Sequence, residues 1–348
     1  MKKERVIVVA PGRGSYTANE LNYFGRYGTN YTDFLNEIDQ ERTNCGQISV
    51  RELDGMEKFK RRVHTLGENA AALIYACSMI DFFSINKEKY DIVGVAGNSM
   101  GWYISLACAG ATNLKNGIKL VNTMGSMMKD GNIGGQIVYP LIDENWIFQE
   151  SRYQSVLKLI NHLNTEPDVY VYISIHLGGN IILAGNDKGV ARLLETLEPI
   201  RLSDIEYPFQ LLNHAAFHTP LLNETSDRAK ALFTESHFQK PSIPLIDGEG
   251  RIWQPYSCDI SALREYTLGT QVTDPYNFTK SIEVSVKEFA PDKVILLGPG
   301  SNLGGSIAQS LIMHQWEGFT SKHEFIERQK SNPYILAMGR EDQRKIVI

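Results

Sequence analysis

The chain has 348 residues, of which 43% are hydrophobic and 22% charged, and its formal net charge is −5. This is the composition of a globular protein with a sizeable core, and it lacks the basic surplus of a nucleic-acid-binding domain. No apolar run approaches the ~20 residues that a membrane span needs. The first run, Val6 to Ala10, is too short for the core of a signal peptide.

The four cysteines are scattered along the chain and form no C-x-x-C pair. Their spacing therefore predicts neither a metal site nor a disulfide framework. A reduced, cytoplasmic setting fits this cysteine usage best.

Short β-branched runs alternate with helical patterns along most of the chain. The first part predicts a strand at 5–10, a helix at 67–83, a strand at 91–96, and helices at 100–111 and 115–128. The last part predicts a strand at 243–247, a helix at 277–289, a strand at 293–298 and a helix from 303. Such alternation is typical of a parallel sheet with helices on both faces.

Between these parts, residues 131–205 change to the order β-α-β-β-α, which is close to a ferredoxin-like unit. We therefore predict an α/β fold with a large, α/β-hydrolase-like subdomain that contains the parallel sheet. It comprises residues 1–130 and 206–315, and the small ferredoxin-like subdomain is inserted between them. The polar residues 316–348 are predicted to be an irregular C-terminal extension.

The motif G-x-S-x-G occurs once with a favourable context, at Gly97 to Gly101. A buried strand precedes it and a helix follows it, which is the setting of a nucleophilic serine on a tight turn. Ser99 would then present its hydroxyl, and the amide of Met100 would be the first donor to a developing oxyanion. The alternative is a packing turn in which Ser99 only caps the helix.

A serine nucleophile needs a base, and two of the eight histidines stand out. His214 and His218 lie in the apolar segment "LLNHAAFHTPLL", before a helix that Thr219 and Pro220 are expected to start. The alternatives are two satisfied core histidines, or a metal pair, for which no third ligand is evident. His64, in the basic segment "KFKRRVH", is expected to be solvated.

Five stretches in order resemble the malonyl-coenzyme A:acyl carrier protein transacylase family, which includes acyltransferase domains of fatty acid and polyketide synthases. They are "APGRGSY" (10–16), "GNSMGWYISLACAGA" (97–111), "AAFHTPLL" (215–222), "QVTDPYNFTKSIE" (271–283) and "LLGPGSNLGGSI" (296–307). The resemblance spans nearly the whole chain, and the family carries a small ferredoxin-like subdomain where the β-α-β-β-α unit lies.

This resemblance implies that Ser99 accepts the acyl group, that His218 is the general base, and that the backbone carbonyl of Gln271 orients its ring. Backbone amides of Arg13 and Met100 would form the oxyanion hole. The resemblance implies no permanently bound cofactor, because acyl-coenzyme A and a phosphopantetheinyl acyl carrier protein are substrates. A monomer is expected, because no strongly hydrophobic helix face is left over.

The chain departs from the family in the expected substrate pocket. Asn98 replaces a histidine, Trp102 a glutamate, and Met124, in "TMGSMMK" (123–129), the arginine that pairs with the malonyl carboxylate. The loss of this arginine predicts a non-carboxylated acyl group, and Trp102 is expected to shape or shorten the pocket. Alternatively Arg13, where the family has glutamine, binds that carboxylate or faces solvent near an acidic carrier. His176, where the family has an asparagine, is either a pocket residue or a loop histidine.

The function predicted from these residues is acyl transfer between coenzyme A or carrier thioesters, in fatty acid or polyketide biosynthesis. A thioester hydrolase would use the same serine with water as acceptor, and the sequence does not separate the two. A non-catalytic carrier-binding protein is less favoured, since both Ser99 and His218 are present.

Overall fold

The computed structural model describes residues 2–128 and 133–348. The predicted boundary between residues 130 and 131, and Lys129 at the end of the "TMGSMMK" segment, lie outside the described residues.

The described residues contain the α-helices and β-strands given next. The helices are α1 (Tyr23–Tyr27), α2 (Thr32–Asn44), α3 (Val50–Asp54), α4 (Arg61–His64), α5 (Gly67–Ser84), α6 (Gly101–Cys108), α7 (Leu114–Ser126), α8 (Glu150–Leu163), α9 (Asp187–Thr196), α10 (Asn223–Leu232), α11 (Ile260–Glu265), α12 (Gln271–Thr273), α13 (Phe278–Phe289), α14 (Leu303–Met313), α15 (Lys322–Ser331) and α16 (Glu341–Val347). The strands are β1 (Glu4–Ala10), β2 (Tyr90–Gly97), β3 (Gly135–Pro140), β4 (Val171–Leu177), β5 (Asn180–Gly185), β6 (Ile200–Leu202), β7 (Ile205–Tyr207), β8 (Phe209–Gln210), β9 (Leu245–Ile246), β10 (Ile252–Trp253), β11 (Tyr276–Asn277), β12 (Lys293–Leu296) and β13 (Ile335–Ala337).

The large sheet has the strand order β10-β9-β2-β1-β12-β13. Its strands are parallel except β10, which pairs with β9 in the antiparallel sense. The apolar run of β1 is fully buried at its centre, and α5 is buried along nearly all its length. This confirms the predicted α/β fold, in which central parallel strands are covered on both faces. None of the helices within the described ranges has the length and apolar character needed to cross a bilayer.

The small sheet has the order β11-β4-β5-β3-β8, and the elements β3, α8, β4, β5 and α9 follow one another in the predicted β-α-β-β-α order. Helices α8 and α9 cover it with a separate apolar core. Two of its strands, β8 and β11, come from segments beyond residue 205. The small sheet is therefore joined directly to the segments that contain the candidate site. The subdomain limits themselves stay a prediction.

Three features differ from the expectations. Helix α2 was not predicted, because its sequence is mostly polar and only one narrow face is buried. The residues after 314 are not irregular: α15, β13 and α16 are ordered, and β13 is a parallel edge strand of the large sheet. His64 is not solvated, because it is 1% exposed and its two ring nitrogens bond the backbone of Lys60 and Leu53.

A buried ion pair fixes the end of the chain to the core. Arg344 of α16 bonds Asp81 of α5 at 2.5 Å, and the two side chains are 3% and 0% exposed. The Tyr23 hydroxyl and the Gly298 amide also donate to the Asp81 carboxylate. Because all its partners are present, this charge is satisfied inside the fold.

We expect Arg344→Met to destabilise the protein by about 3–5 kcal/mol, since it leaves the Asp81 carboxylate buried without its counter-ion. Urea unfolding followed by circular dichroism measures this change. The control is Lys345→Met, which removes an exposed pair with Glu341 on the same helix and should have little effect. Equal urea concentrations at the unfolding midpoint for both variants would contradict a structural role for the buried ion pair.

Candidate active site

The turn between β2 and α6 presents Ser99. Its backbone φ is +55°, a left-handed conformation that is uncommon outside glycine. The flanking glycines permit the close packing that this turn needs: a Cβ at Gly97 would lie 2.3 Å from the backbone of Gly101, and one at Gly101 would lie 2.4 Å from the Ala10 carbonyl. The turn is therefore pressed against the end of β1, and the serine side chain projects from it.

The structure brings Ser99, His218 and Gln271 together. Ser99 Oγ lies 2.7 Å from His218 Nε2, and His218 Nδ1 lies 2.6 Å from the backbone oxygen of Gln271. A carbonyl oxygen only accepts, so Nδ1 carries the hydrogen and Nε2 presents its lone pair to the serine hydroxyl. This is the tautomer that a general base needs. The catalytic roles of the three residues stay a prediction.

Gln271 also contacts the nucleophile through its side chain. Its Oε1 accepts a hydrogen bond from Tyr103 at 2.7 Å, and its Nε2 donates to the Ser99 carbonyl at 3.1 Å. One residue thus holds the base through its backbone and the nucleophile through its amide. Only the backbone role was predictable from the sequence, because nothing local to residue 271 signals the two side-chain contacts.

Tyr276 is a second residue that the sequence analysis missed. Its hydroxyl donates to the Gly97 carbonyl at 2.6 Å, and its ring centre lies 5.4 Å from that of His218. The tyrosine belongs to β11, so the small sheet contacts both the serine turn and the base.

Burial lowers the pKa of His218 from 6.5 to about 4, and the hydrogen bond to Gln271 opposes this only in part. The ring is 3% exposed. A charged imidazolium would lose its hydration there, so the neutral base is favoured at physiological pH.

One predicted oxyanion donor directly follows Ser99 in the chain, and the other, Arg13, lies in the loop after β1. Met100 is the residue before α6, and its amide makes no hydrogen bond to any other residue that the structure describes. The same holds for the amide of Arg13, within the described residues. The loop before Arg13 rests on the serine turn, because a Cβ at Gly12 would lie 2.8 Å from the Asn98 carbonyl. Both amides are free to bind an oxyanion, and this role stays a prediction.

A cavity that is partly open to solvent has Ser99, His218 and Gln271 in its wall. Most of the remaining wall is apolar, and it is formed by Ala71, Met100, Tyr103, Met124, Met127, Met128, Phe217, Leu222 and Val272. Met124 therefore lines the same cavity as Ser99, and its role as a substrate-pocket residue stays a prediction.

Three predicted pocket residues do not line this cavity, and their assignment is corrected. Trp102 is fully buried away from it, where its Nε1 donates to Thr267 at 3.0 Å. Trp102 follows Ser99 by three residues in the sequence, but it belongs to helix α6. The helix directs its side chain toward Thr267 and away from the cavity. Asn98 is buried behind the turn, and its Nδ2 lies close to Gly12. His176 lies in the small sheet, with its ring 6.2 Å from that of Tyr153.

Arg13 lines the cavity and has no acidic partner among the described residues. Its Nη2 donates to the backbone oxygens of Thr65 and Asn213, at 3.1 and 2.9 Å, and its guanidinium lies 5.5 Å from the ring centre of Phe217. Its buried Nε has no hydrogen-bond partner among the described residues. Burial lowers the Arg13 pKa to about 10, which leaves it charged at neutral pH.

Comparisons with known proteins agree with this fold. No protein-family model matches the chain. The malonyl CoA-acyl carrier protein transacylase of Salmonella typhimurium is 23% identical over 215 residues, which cover 61% of this chain and 63% of that protein. The chain thus matches just under two thirds of this relative's length.

Two solved structures have the same fold over nearly all of both chains. The malonyl-CoA:acyl carrier protein transacylase of Xanthomonas oryzae has a TM-score of 0.74 at 16% identity, covering 99% of this chain and 98% of that one. A malonyl-transacylase in complex with a type II polyketide synthase acyl-carrier protein has a TM-score of 0.71 at 17% identity, covering 99% of each. These likenesses confirm the resemblance that the five motifs predicted.

We expect the acylation rate of Ser99 to stay near its maximum down to about pH 5 and to fall only as the pH approaches the His218 pKa of about 4. The base works unprotonated, and a pKa of about 4 leaves about nine tenths of it unprotonated at pH 5, against about 3% for an ordinary histidine. Rapid-quench acylation by an acyl-coenzyme A, measured between pH 3.5 and 8, gives this profile. A half-maximal rate near pH 6.5, with the fold intact by circular dichroism, would contradict it.

Proposed function

We propose that the protein is an acyltransferase, which moves an acyl group between thioesters through an acyl-Ser99 intermediate. The observation that supports this is the line of hydrogen bonds from Ser99 Oγ through the His218 ring to the Gln271 carbonyl, at the wall of an apolar cavity. The hydrogen-bond acceptor at Nδ1 fixes the tautomer and the orientation of the His218 ring. The ring can then act as the base that activates the Ser99 hydroxyl.

In the first half-reaction, His218 Nε2 takes the proton of the Ser99 hydroxyl as Oγ attacks the thioester carbonyl. The amides of Met100 and Arg13 stabilise the negative oxygen of the tetrahedral intermediate. The carbon–sulfur bond then breaks with its electron pair on sulfur, and the departing thiolate takes the proton from His218 and leaves as a thiol. In the second half-reaction a new thiol gives its proton to His218 and attacks the carbonyl of the acyl-Ser99 ester. The Ser99 oxygen then leaves and regains the proton from His218.

The donor and acceptor thiols proposed are coenzyme A and the phosphopantetheine of an acyl carrier protein. The names of the relatives support this choice, since they are transacylases of coenzyme A and carrier substrates, and one structure holds an acyl-carrier protein. Fatty acid or polyketide biosynthesis is the proposed setting, because curated relatives include a polyketide biosynthesis protein and a polyketide synthase.

For the acyl group we propose a short chain that bears a carboxylate, such as malonyl, over the non-carboxylated group that Met124 alone suggests. The Arg13 guanidinium has no acidic partner among the described residues, so a substrate carboxylate in the cavity would supply the counter-ion that an apolar acyl group would not. The Arg13 tip also approaches the end of helix α7: a Cβ at Gly67 would lie 2.5 Å from the Gly125 oxygen and 3.8 Å from Arg13 Nη1. Gly125 directly follows Met124, so the charge lies near the position of the family's arginine.

The non-carboxylated group remains the second candidate, because three methionines, Met124, Met127 and Met128, line the same cavity. Methionine forms an adaptable apolar wall that suits acyl chains of several lengths.

We expect incubation with an acyl-coenzyme A to add one acyl mass to the protein, on the peptide that contains Ser99. Ser99→Ala should abolish the adduct, and His218→Ala should slow its formation by about three orders of magnitude or more, since the base is lost. Intact-mass spectrometry over time measures both, and His162→Ala, at an exposed histidine of α8, is the control. A persistent adduct in Ser99→Ala would show that the nucleophile is wrong.

The same experiment separates transfer from hydrolysis. A transferase should hold its acyl-Ser99 until a carrier with a free phosphopantetheine thiol is added and should then lose the acyl mass to the carrier. Equal loss with and without the carrier would support the thioester hydrolase instead.

We expect the wild-type protein to be acylated faster by malonyl- than by acetyl-coenzyme A. Arg13→Gln should slow the malonyl reaction by about tenfold to a hundredfold, the value of a charged hydrogen bond, and change the acetyl reaction little. Competition between the two substrates, measured by intact mass, gives the ratio. Arg13→Lys keeps the charge, so its rate of acylation by malonyl-coenzyme A should lie between those of the wild type and Arg13→Gln. A wild-type preference for acetyl would support the second candidate, and equal losses with both substrates would show that Arg13 serves another purpose.

A further inference from the structure

The peptide carbonyl that immediately precedes the base is held by the small sheet. Ser174, in the fully buried part of β4, donates from its hydroxyl to the Phe217 carbonyl at 2.7 Å. Ser174 Oγ accepts in turn from Gln136 Nε2 at 2.6 Å, and Gln136 belongs to β3, which β5 separates from β4 in the same sheet. Both side chains are almost completely buried, at 0% and 2% exposed.

The Phe217 carbonyl fixes which group donates and which accepts in each of these hydrogen bonds. The Phe217 carbonyl can only accept, so the Ser174 hydroxyl must donate to it and accept from the Gln136 amide. The Gln136 oxygen then accepts from His214 Nδ1 at 2.9 Å. Burial and the charge of Arg13 lower the His214 pKa to about 3, so this ring is neutral and has one N–H to donate.

His218 itself has a left-handed backbone, with φ +59°. A non-glycine residue in this region costs free energy and persists only where its surroundings hold it. Thr219 Oγ1 bonds the Ala216 oxygen at 2.6 Å on one side, and Ser174 bonds the Phe217 oxygen on the other. The Phe217 carbonyl is part of the peptide unit whose rotation sets the position of the His218 Cα.

We propose that Ser174 and Gln136 are positioning residues for the catalytic base, and that His214 completes their hydrogen-bonded line. This inference rests on the proposed function, because it concerns how His218 is held against Ser99. It assigns to the small sheet a direct part in acylation. The line of donors, His214 to Gln136 to Ser174 to the Phe217 carbonyl, keeps the His218 Nε2 at hydrogen-bond distance from the Ser99 hydroxyl.

The test is single-turnover acylation of Ser174→Ala and Gln136→Met at increasing acyl-coenzyme A concentration. Each variant should lower the maximal acylation rate constant by roughly tenfold, because the base is misplaced, while the half-saturating concentration stays the same. Ser285→Ala is the matched control: Ser285 is also 0% exposed and donates at 2.7 Å to a backbone oxygen, that of Ser281, within α13. It should leave the rate constant unchanged.

A double variant decides whether the effect passes through the base. In a His218→Ala background, Ser174→Ala should have no further effect on the residual rate, since there is no ring left to position. Equal loss of rate in the two backgrounds, or a loss no greater than that of Ser285→Ala, would overturn the inference. If His218→Ala itself left acylation unchanged, the proposed function would fail instead, so the two failures are distinguishable.

Discussion

The hydrogen bond from His218 to the Gln271 carbonyl is the interaction on which the candidate site depends. It fixes the tautomer of a buried ring, but a neutral carbonyl stabilises an imidazolium less than a carboxylate would. Burial therefore dominates and lowers the pKa of the base to about 4. So weak a base removes the serine proton efficiently only where the oxyanion that forms at the same time is well stabilised. If the amides of Met100 and Arg13 bind the oxyanion as proposed, they would carry more of the transition-state stabilisation in such a site.

Two left-handed residues face each other in this arrangement, Ser99 and His218. Neither conformation is stable by itself, and each is held by contacts from elsewhere in the chain. Close glycine packing holds the serine turn against β1, and hydroxyl groups hold the loop of the base. Gln271 connects the two through its backbone and side chain. The strain is local, whereas the contacts that compensate it come from both sheets.

The sequence predicted the parts of the protein that depend on local pattern. The alternating strands and helices, the turn at Ser99, and the motifs around His218 and Gln271 all have signals within a few residues. The missed contacts join distant segments: Ser174 lies 43 residues from Phe217, and the Gln271 side chain 172 residues from Ser99. Polar contacts between distant segments produce no periodic pattern in the amino-acid sequence. Trp102 was misplaced because closeness to Ser99 in sequence does not show which side of the helix a residue faces.

The sequence leaves open whether Arg13 reaches the pocket or faces solvent, and the tertiary structure places it in the cavity wall. Met124 removes a charge from helix α7, and Arg13 brings one to the same region from the loop after β1. The Arg13 amide is also a candidate oxyanion donor, so one residue would contact the substrate at both ends of a short acyl group. A carboxylate that draws the guanidinium into the cavity would act on the loop that stabilises the oxyanion. Substrate selection and transition-state stabilisation would then be coupled through a single residue, which a guanidinium on α7 does not provide.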